Sequence, residues 1–335
     1  MTMAWARRRV VWVAVLSAGV VAVAGLAAFV FVSASAAGCA AAHAWQDKSV
    51  WVELGTNSGP IPNPLRSEPS HLLLWHDQTI LIDVGDGAAE QLARAHVDLG
   101  AIRTIFLSHL HFDHTGGLFA LIGMRYQGSG PTCGGVTVYG PPGTRRLVDG
   151  LLAAIEPGAA LVPTALPDIR VVELNGGAKV TVGDVQITAA ANSHYNLWNG
   201  SGAKPVSLSY RFDLPDRSIV YTGDTGPSPD VEKLAHGADL LVSEIMDADT
   251  ALGAIENKYP LVPGFLFSFV HEHFTKEHLL PDQVGLLAAH AGVHALVLTH
   301  FGGATGGKDQ IARLTKAIAT HYKGPIRFAN DLERF

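Results

Sequence analysis

Cysteine is nearly absent. Two in 335 residues exclude a small fold knitted by disulfides and any all-cysteine zinc or iron–sulfur site. Charge is sparse too, at 16% of residues, but 48% hydrophobic residues is too many for a disordered chain. No repeat of 20–50 residues recurs and no long Ser, Gly or Pro tract divides the chain. A solenoid and a pair of linker-joined domains are thereby excluded. Positive charge is in deficit: the first 38 residues hold Arg7, Arg8, Arg9 and no acid, so 21 of the 24 Lys+Arg remain to face 30 Asp+Glu, a balance near −9. That excess of acid is a poor match for a polyanion, and nucleic acid is not the expected partner. What the chain has in excess is histidine, sixteen in all.

Arg7-Arg8-Arg9 precede Val10–Val32, 23 residues without a charge, and then the small residues Ser33–Gly38. A basic patch, an apolar run and small residues are the parts of an export signal. The run exceeds the usual signal core and matches the roughly 20 residues that cross a bilayer. Residues 1–42 therefore read as a signal peptide or an N-terminal membrane anchor. A third outcome is lipid attachment at Cys39, because Ala36-Ala37-Gly38-Cys39 is similar to a bacterial lipoprotein box. The remaining domain, residues 49–335, is expected to be exported or periplasmic, and to touch a membrane only through an uncleaved N-terminal segment.

Strand-like runs occur at Val50–Leu54, His71–Trp75, Thr79–Val84, Thr104–Ser108 and Val136–Tyr139. Val180–Val182 with Val185–Ala190, and Val206–Leu214 with Ser218–Thr222, read as hairpins. Leu240–Glu244, Ala295–Thr299 and Ile326–Ala329 follow, with helical patterns at Gly87–His96, Arg145–Ala154, Asp230–Ala235, Pro281–Ala291 and Lys308–His321. Hairpins first and alternating helices and strands later imply an α/β fold of sheets packed face to face with helices outside. Tyr259–Phe269, apolar and aromatic with two prolines and a glycine, reads as packed core rather than as a lid. Cys133 sits in a Gly-rich loop with only Cys39 as a disulfide partner.

The strand Thr104–Ser108 delivers His109-Leu110-His111-Phe112-Asp113-His114-Thr115-Gly116-Gly117. Four ligand-type side chains fall within six residues, and alternate residues of an extended loop share a side. Imidazoles with a carboxylate suit zinc, with manganese or iron as alternatives. Each later polar motif also follows a strand: Asn192-Ser193-His194-Tyr195, Thr222-Gly223-Asp224-Thr225 and Thr299-His300-Phe301. Open α/β sheets place ligands at such strand ends.

These motifs, with Asp83 in Ile82-Asp83-Val84-Gly85, closely resemble those of the metallo-β-lactamase fold from about Val50 to Phe335. The resemblance implies a four-layer αββα sandwich holding two divalent metal ions, zinc foremost. One ion would take His109, His111 and His194, the other Asp113, His114 and His300, with Asp224 bridging them. It further implies a metal-bridging hydroxide that attacks an ester-type bond: a phosphodiester, a sulfate ester or a carboxylic ester.

Within that fold, Glu53-Leu54-Gly55-Thr56 resembles the opening of ribonuclease Z and its arylsulfatase and phosphodiesterase relatives. His278 stands 22 residues before His300 and matches the proton donor of those enzymes, and Glu244 matches its supporting acid. A carboxylate beside the ring would raise its pKa and suit it to protonate a leaving oxygen; His273 and His271 are rivals for the role. Ser243-Glu244-Ile245-Met246 and Phe301-Gly302-Gly303-Ala304 depart from the ribonuclease Z pattern, and no basic arm that would grip tRNA is present. The expectation is therefore a hydrolase of a small ester substrate. Ribonuclease Z-type cleavage, lactonase activity and a non-hydrolytic iron- or metal-binding protein are the alternatives.

Overall fold

Strands form where alternate residues face two different apolar layers. Leu72 and Leu74 enter one cluster and Leu73 another; Ile219 and Tyr221 point to one layer, Val220 to the opposite one. This period of two is the signature of a sheet covered on both faces. The computed structural model describes residues 48–59, 61–129, 133–161, 168–261, 263–303 and 306–335. The export segment expected at residues 1–42, with Cys39, lies outside them. Among the described residues no helix is long and apolar enough to cross a membrane.

Two sheets result. The first runs β1 (Val50–Gly55), β2 (Ser70–Trp75), β3 (Gln78–Val84), β4 (Thr104–Phe106), β5 (Val136–Gly140) and β6 (Ile169–Glu173). The second comprises β7 (Lys179–Val182), β8 (Val185–Ala191), β9 (Leu208–Asp213), β10 (Ser218–Tyr221), β11 (Leu240–Met246), β12 (Ala295–Gly302) and β13 (Ile326–Phe328). In each, an antiparallel meander passes into parallel strands. Parallel pairs need crossovers, and the helices supply them. Helices α1 (Ala88–Arg94), α2 (Phe112–Thr115), α3 (Leu118–Ser129) and α4 (Thr144–Ile155) connect the first sheet. Helices α5 (Pro229–Ala235), α6 (Ala248–Lys258), α7 (Gly264–Lys276), α8 (Pro281–Ala291) and α9 (Lys308–His321) connect the second.

Three apolar layers separate these four tiers. Leu92, Leu121 and Val148 pack helices on the first sheet, and Val231, Leu287 and Ile318 pack helices on the second. Trp51, Phe106, Tyr210, Phe212 and Tyr221 fill the space between the sheets. The αββα sandwich is the expected one.

The tail of the chain closes the free edge of β1. Trp51 and Phe335 exchange both backbone hydrogen bonds (3.0 and 2.8 Å), and Glu53 N–H donates to Glu333 O. The Asp331 carboxylate accepts from Thr56 N and Oγ1, Ser67 N and Gln91 Nε2, all within 3.0 Å. An edge strand that would otherwise offer unpaired amides is thus covered. At the other end of β1, Ser49 donates to Asp216 in the β9–β10 turn. Cys133 is fully buried and disulfide-bonded.

One expectation is overturned. Helix α7 buries none of its residues: Phe265 is 80% exposed and Phe269 57%, and Leu261 just before the helix is 93% exposed. Only Phe267, Val270 and Phe274, three residues at helical spacing, lean on the small cluster of Met246, Ala248 and Leu252. The described residues of the stretch 259–269 are therefore not core. An aromatic run satisfies packing with one stripe, and the rest of this helix faces outward.

Candidate metal centre

Every predicted ligand lies at one edge of the sandwich, where strands end. The loop after β4 presents His109 and His111, and α2 carries Asp113 and His114. Loops after β8 and β10 bring His194 and Asp224. His300 arrives differently: Glu244 pairs with Thr299 and Ile245 with Phe301, so His300 is the extra residue of a β-bulge in β12, at φ 47°. Asp83 repeats the device in β3, skipped between the Ser70–Val84 and His71–Ile82 pairs and held at φ 53°. Bulges re-aim a side chain, and strained backbone of this kind clusters at functional sites.

The ligand atoms converge as two groups that share Asp224. Those of His109, His111, His194 and Asp224 lie within 4.8 Å of one another, and so do those of Asp113, His114, Asp224 and His300. In the first, His109 Nε2 and His194 Nε2 stand 3.0 and 3.2 Å from His111 Nδ1. In the second, His114 Nε2 is 3.3 Å from Asp224 Oδ1, and His300 Nε2 is 3.2 Å from Asp224 Oδ2 and 3.5 Å from Asp113 Oδ2. His114 Nε2, His300 Nε2 and Asp224 Oδ1 are buried and make no hydrogen bond. Orphaned buried polar atoms are rare in folded proteins, and three aimed at one point fit a cation.

Neighbouring groups fix the rings. His114 Nδ1 donates to Asp83 Oδ2 (2.8 Å), His194 Nδ1 to the Glu277 carbonyl (3.0 Å), and His109 Nδ1 to Ser108 Oγ (3.1 Å). Asp83 also accepts from Ser108 N and Oγ and from Tyr221 OH, at 2.7–2.8 Å. Each such bond sets the tautomer that leaves Nε2 facing the centre. Gly59 N–H donates to Asp113 Oδ2 (2.9 Å), and a side chain at Gly59 or Gly85 would collide with Asp113.

The two halves differ electrically. Burial, with neighbouring His114, pushes His109 well below its usual pKa; burial also lowers His111, and His194 well below its usual value. Their lone pairs are therefore available. In the other half burial opposes charge but loses: Asp224, Asp113 and Asp83 raise His114 well above its usual value, and Asp224 with Asp113 brings His300 to about 9. Reciprocally, despite burial, His300 and His114 hold Asp224 far below the carboxylate range, and His114 and His300 lower Asp113.

Glu244 and His278 meet beside this centre, Oε2 to Nδ1 at 2.7 Å, both buried. The His278 ring stacks on His300 at 5.9 Å and meets His194 edge-on at 4.9 Å. The expected rise in the His278 pKa is reversed. Burial, with His300 and His273 nearby, lowers the ring to about 3, while burial and Asp224 raise Glu244. The pair is thus held neutral overall. Of the two rivals, His273 stands at the mouth with its ring 5.0 Å from His278. His271, two residues earlier, makes no ring contact with these histidines among the described residues.

Sequence reasoning missed Glu277. Its Oε2 accepts from His273 Nδ1 (2.8 Å), its Oε1 from Leu197 N (2.7 Å) and its carbonyl from ligand His194. Its position next to His278 was the only signal available.

Residues 78–301 match the Beta-lactamase superfamily domain. The chain belongs to the metallo-β-lactamase superfamily. Its curated relatives include ribonuclease Z of Mycobacterium marinum and of Mycobacterium avium, each 30% identical over 84% of this chain and covering 96% and 95% of the relative. The fold is also that of the metallo-β-lactamase fold protein YhfI from Bacillus subtilis (TM-score 0.64, 20% identity, 86% of this chain and 99% of that one). Human tRNase Z, short form, is similar at TM-score 0.58, 21% identity, 86% and 98%. The chain is therefore a ribonuclease Z-like hydrolase of that superfamily. These relatives overturn the expectation that nucleic acid is not the partner. That expectation came from total charge, and total charge does not describe the centre, where cations would offset the acid locally.

Proposed function

We propose that this protein is a ribonuclease Z-type endoribonuclease, a two-metal hydrolase that cleaves a phosphodiester bond of an RNA substrate. The observation that carries the reading is the buried Glu244–His278 pair stacked on His300 in a chain 30% identical to ribonuclease Z. His109, His111 and His194 would hold one divalent ion and Asp113, His114 and His300 the other, with Asp224 shared; zinc suits this donor set. Bound there, the ions supply Lewis-acid polarisation of the phosphoryl group and a water of lowered pKa.

The chain's own residues do the rest. Gly59 N–H and Asp83 keep the Asp113 and His114 groups aimed inward. With Nδ1 engaged by Glu244, Nε2 is the His278 nitrogen left for substrate. As Nε2 gives its proton to the departing ribose oxygen, Glu244 returns one to Nδ1, and the resulting carboxylate accepts Thr225 N–H at Oε1 (2.5 Å).

The test is a 5′-labelled hairpin RNA with unpaired tails, incubated with the full-length protein and divalent metal. Discrete products that vanish with chelator are expected. Hydrolysis of bis(p-nitrophenyl) phosphate with no cut in any RNA would sink the assignment. His278→Ala should slow RNA cleavage by about 10²–10⁴-fold and slow the release of p-nitrophenolate, a good leaving group, far less. Equal losses would remove His278 from the proton-donor role.

A further inference from the structure

The exposed face of α7 leads straight into the mouth of the metal centre. Phe265, Phe269 and His273 recur every four residues, a spacing that sets side chains one above another with about 6 Å of rise and a slow drift round the helix. Leu266 flanks the row. His273 ends it, with 28% of its side chain exposed, its ring 5.7 Å from ligand His194, and its orientation fixed by Glu277. From Tyr259 to Val270 the sequence contains no charge. Patches of this kind on a soluble face mark an interaction site.

We infer that this row is a stacking ridge for unpaired nucleotides of the RNA on one side of the scissile phosphate. The inference rests on the RNA reading above. An uncharged row of rings would bind bases rather than phosphates, and base–aromatic stacking is the usual grip on single strands. Two other occupants fit less well. A second copy seated on the ridge would cover His273 and close the mouth. A helix that lies on a bilayer carries Lys and Arg beside its apolar face, and the stretch from Tyr259 to Val270 has none. Phe112, between ligands His111 and Asp113, is also 89% exposed and offers a second ring beside the centre.

Binding is read by fluorescence anisotropy of a 5′-labelled single-stranded decaribonucleotide and of a blunt RNA duplex, on the full-length protein. The variants are F265S/F269S, F265L/F269L and F265Y/F269Y, with the Tm reporting that the fold is kept. Both Ser and Leu pairs are expected to weaken single-strand binding by tenfold or more while the Tyr pair stays within threefold, because tyrosine stacks and leucine does not. Wild-type affinity in the Leu pair overturns the ridge. So does a Ser pair that binds RNA normally but changes the sedimenting mass or loses flotation with lipid vesicles, which would assign the face to a second copy or to a bilayer. Wild-type protein that binds no oligoribonucleotide overturns both the ridge and the RNA reading. Wild-type protein that cuts RNA, with a Leu pair that binds it equally well, overturns the ridge alone.

Discussion

Asp83 and His300 each occupy the odd position of a bulged strand in left-handed backbone. Nothing in a sequence announces that conformation at an aspartate or a histidine, so the ligands were legible while the way His300 and the supporting Asp83 are aimed was not. Spacing alone exposed His109, His111, Asp113 and His114; Asp83 is the hub that steadies them, with four donors on one carboxylate. Asp83→Asn should weaken metal affinity by about 10–100-fold, read by competition with a chromophoric chelator; an unchanged affinity would remove Asp83 from the assembly. The protonation contrast gives a second expectation. A proton on His114 or His300 competes with the ion of the Asp113 half, whereas burial lowers His111 and holds His109 and His194 well below their usual value. Since His300 titrates near 9 in the metal-free centre, affinity there falls with each step of acidification below that value. Titrations at pH 6 and pH 8 should show one of two sites weakening strongly; parallel loss at both would contradict the assignment.

Among the elements, those with a clear period announced themselves, and β2, β3, the two hairpins, α8 and α9 lie close to where the alternation put them. Helix α3 did not, because the exposed Phe119 and Met124 blur the stripe of Leu118, Leu121, Ile122 and Tyr126 that it buries. Strand β6, Ile169–Glu173, is a partly exposed edge with mixed polarity. Helix α7 misled for the opposite reason: its aromatics suggested burial, and Phe265 and Phe269 are outside. At the foot of α6, Asp247 joins three elements by accepting from Thr250 Oγ1, Gln310 Nε2 and Arg313 Nη2. These bonds hold its carboxyl below the ordinary range in spite of burial. A depressed folded pKa means the stabilisation is whole above about pH 4 and is lost as pH falls through the folded value. Asp247→Asn should cost about 1 kcal/mol at neutral pH, allowing for the solvent that reaches Arg313. It should also flatten the acid limb of stability below pH 4, as measured by urea midpoints. A variant whose acid limb stays as steep would show that the carboxylate contributes nothing to it.

For the whole molecule, the net charge pointed away from nucleic acid, and the relatives point toward it. Charge summed over a surface says little about a centre whose acids and imidazoles face one another inside it. That centre also binds the sandwich together, since its ligands come from both sheets. An ion that binds the folded state alone adds about 2.7 kcal/mol at a hundredfold excess over its Kd. Removing metal should therefore lower the Tm by several degrees, and returning zinc should restore it; a Tm indifferent to chelator would mean the site stays empty in solution. The tail has a consequence of another kind. Residues 330–335 follow every other element in the order of synthesis, yet they complete the first strand and, through Asp331, hold the loop that reaches Asp113 by way of Gly59. A nascent chain emerges N-terminus first, so β1 waits, edge bare, until residues 330–335 have been made. Deleting residues 330–335 would bare the edge of β1 and leave the Asp331 latch open.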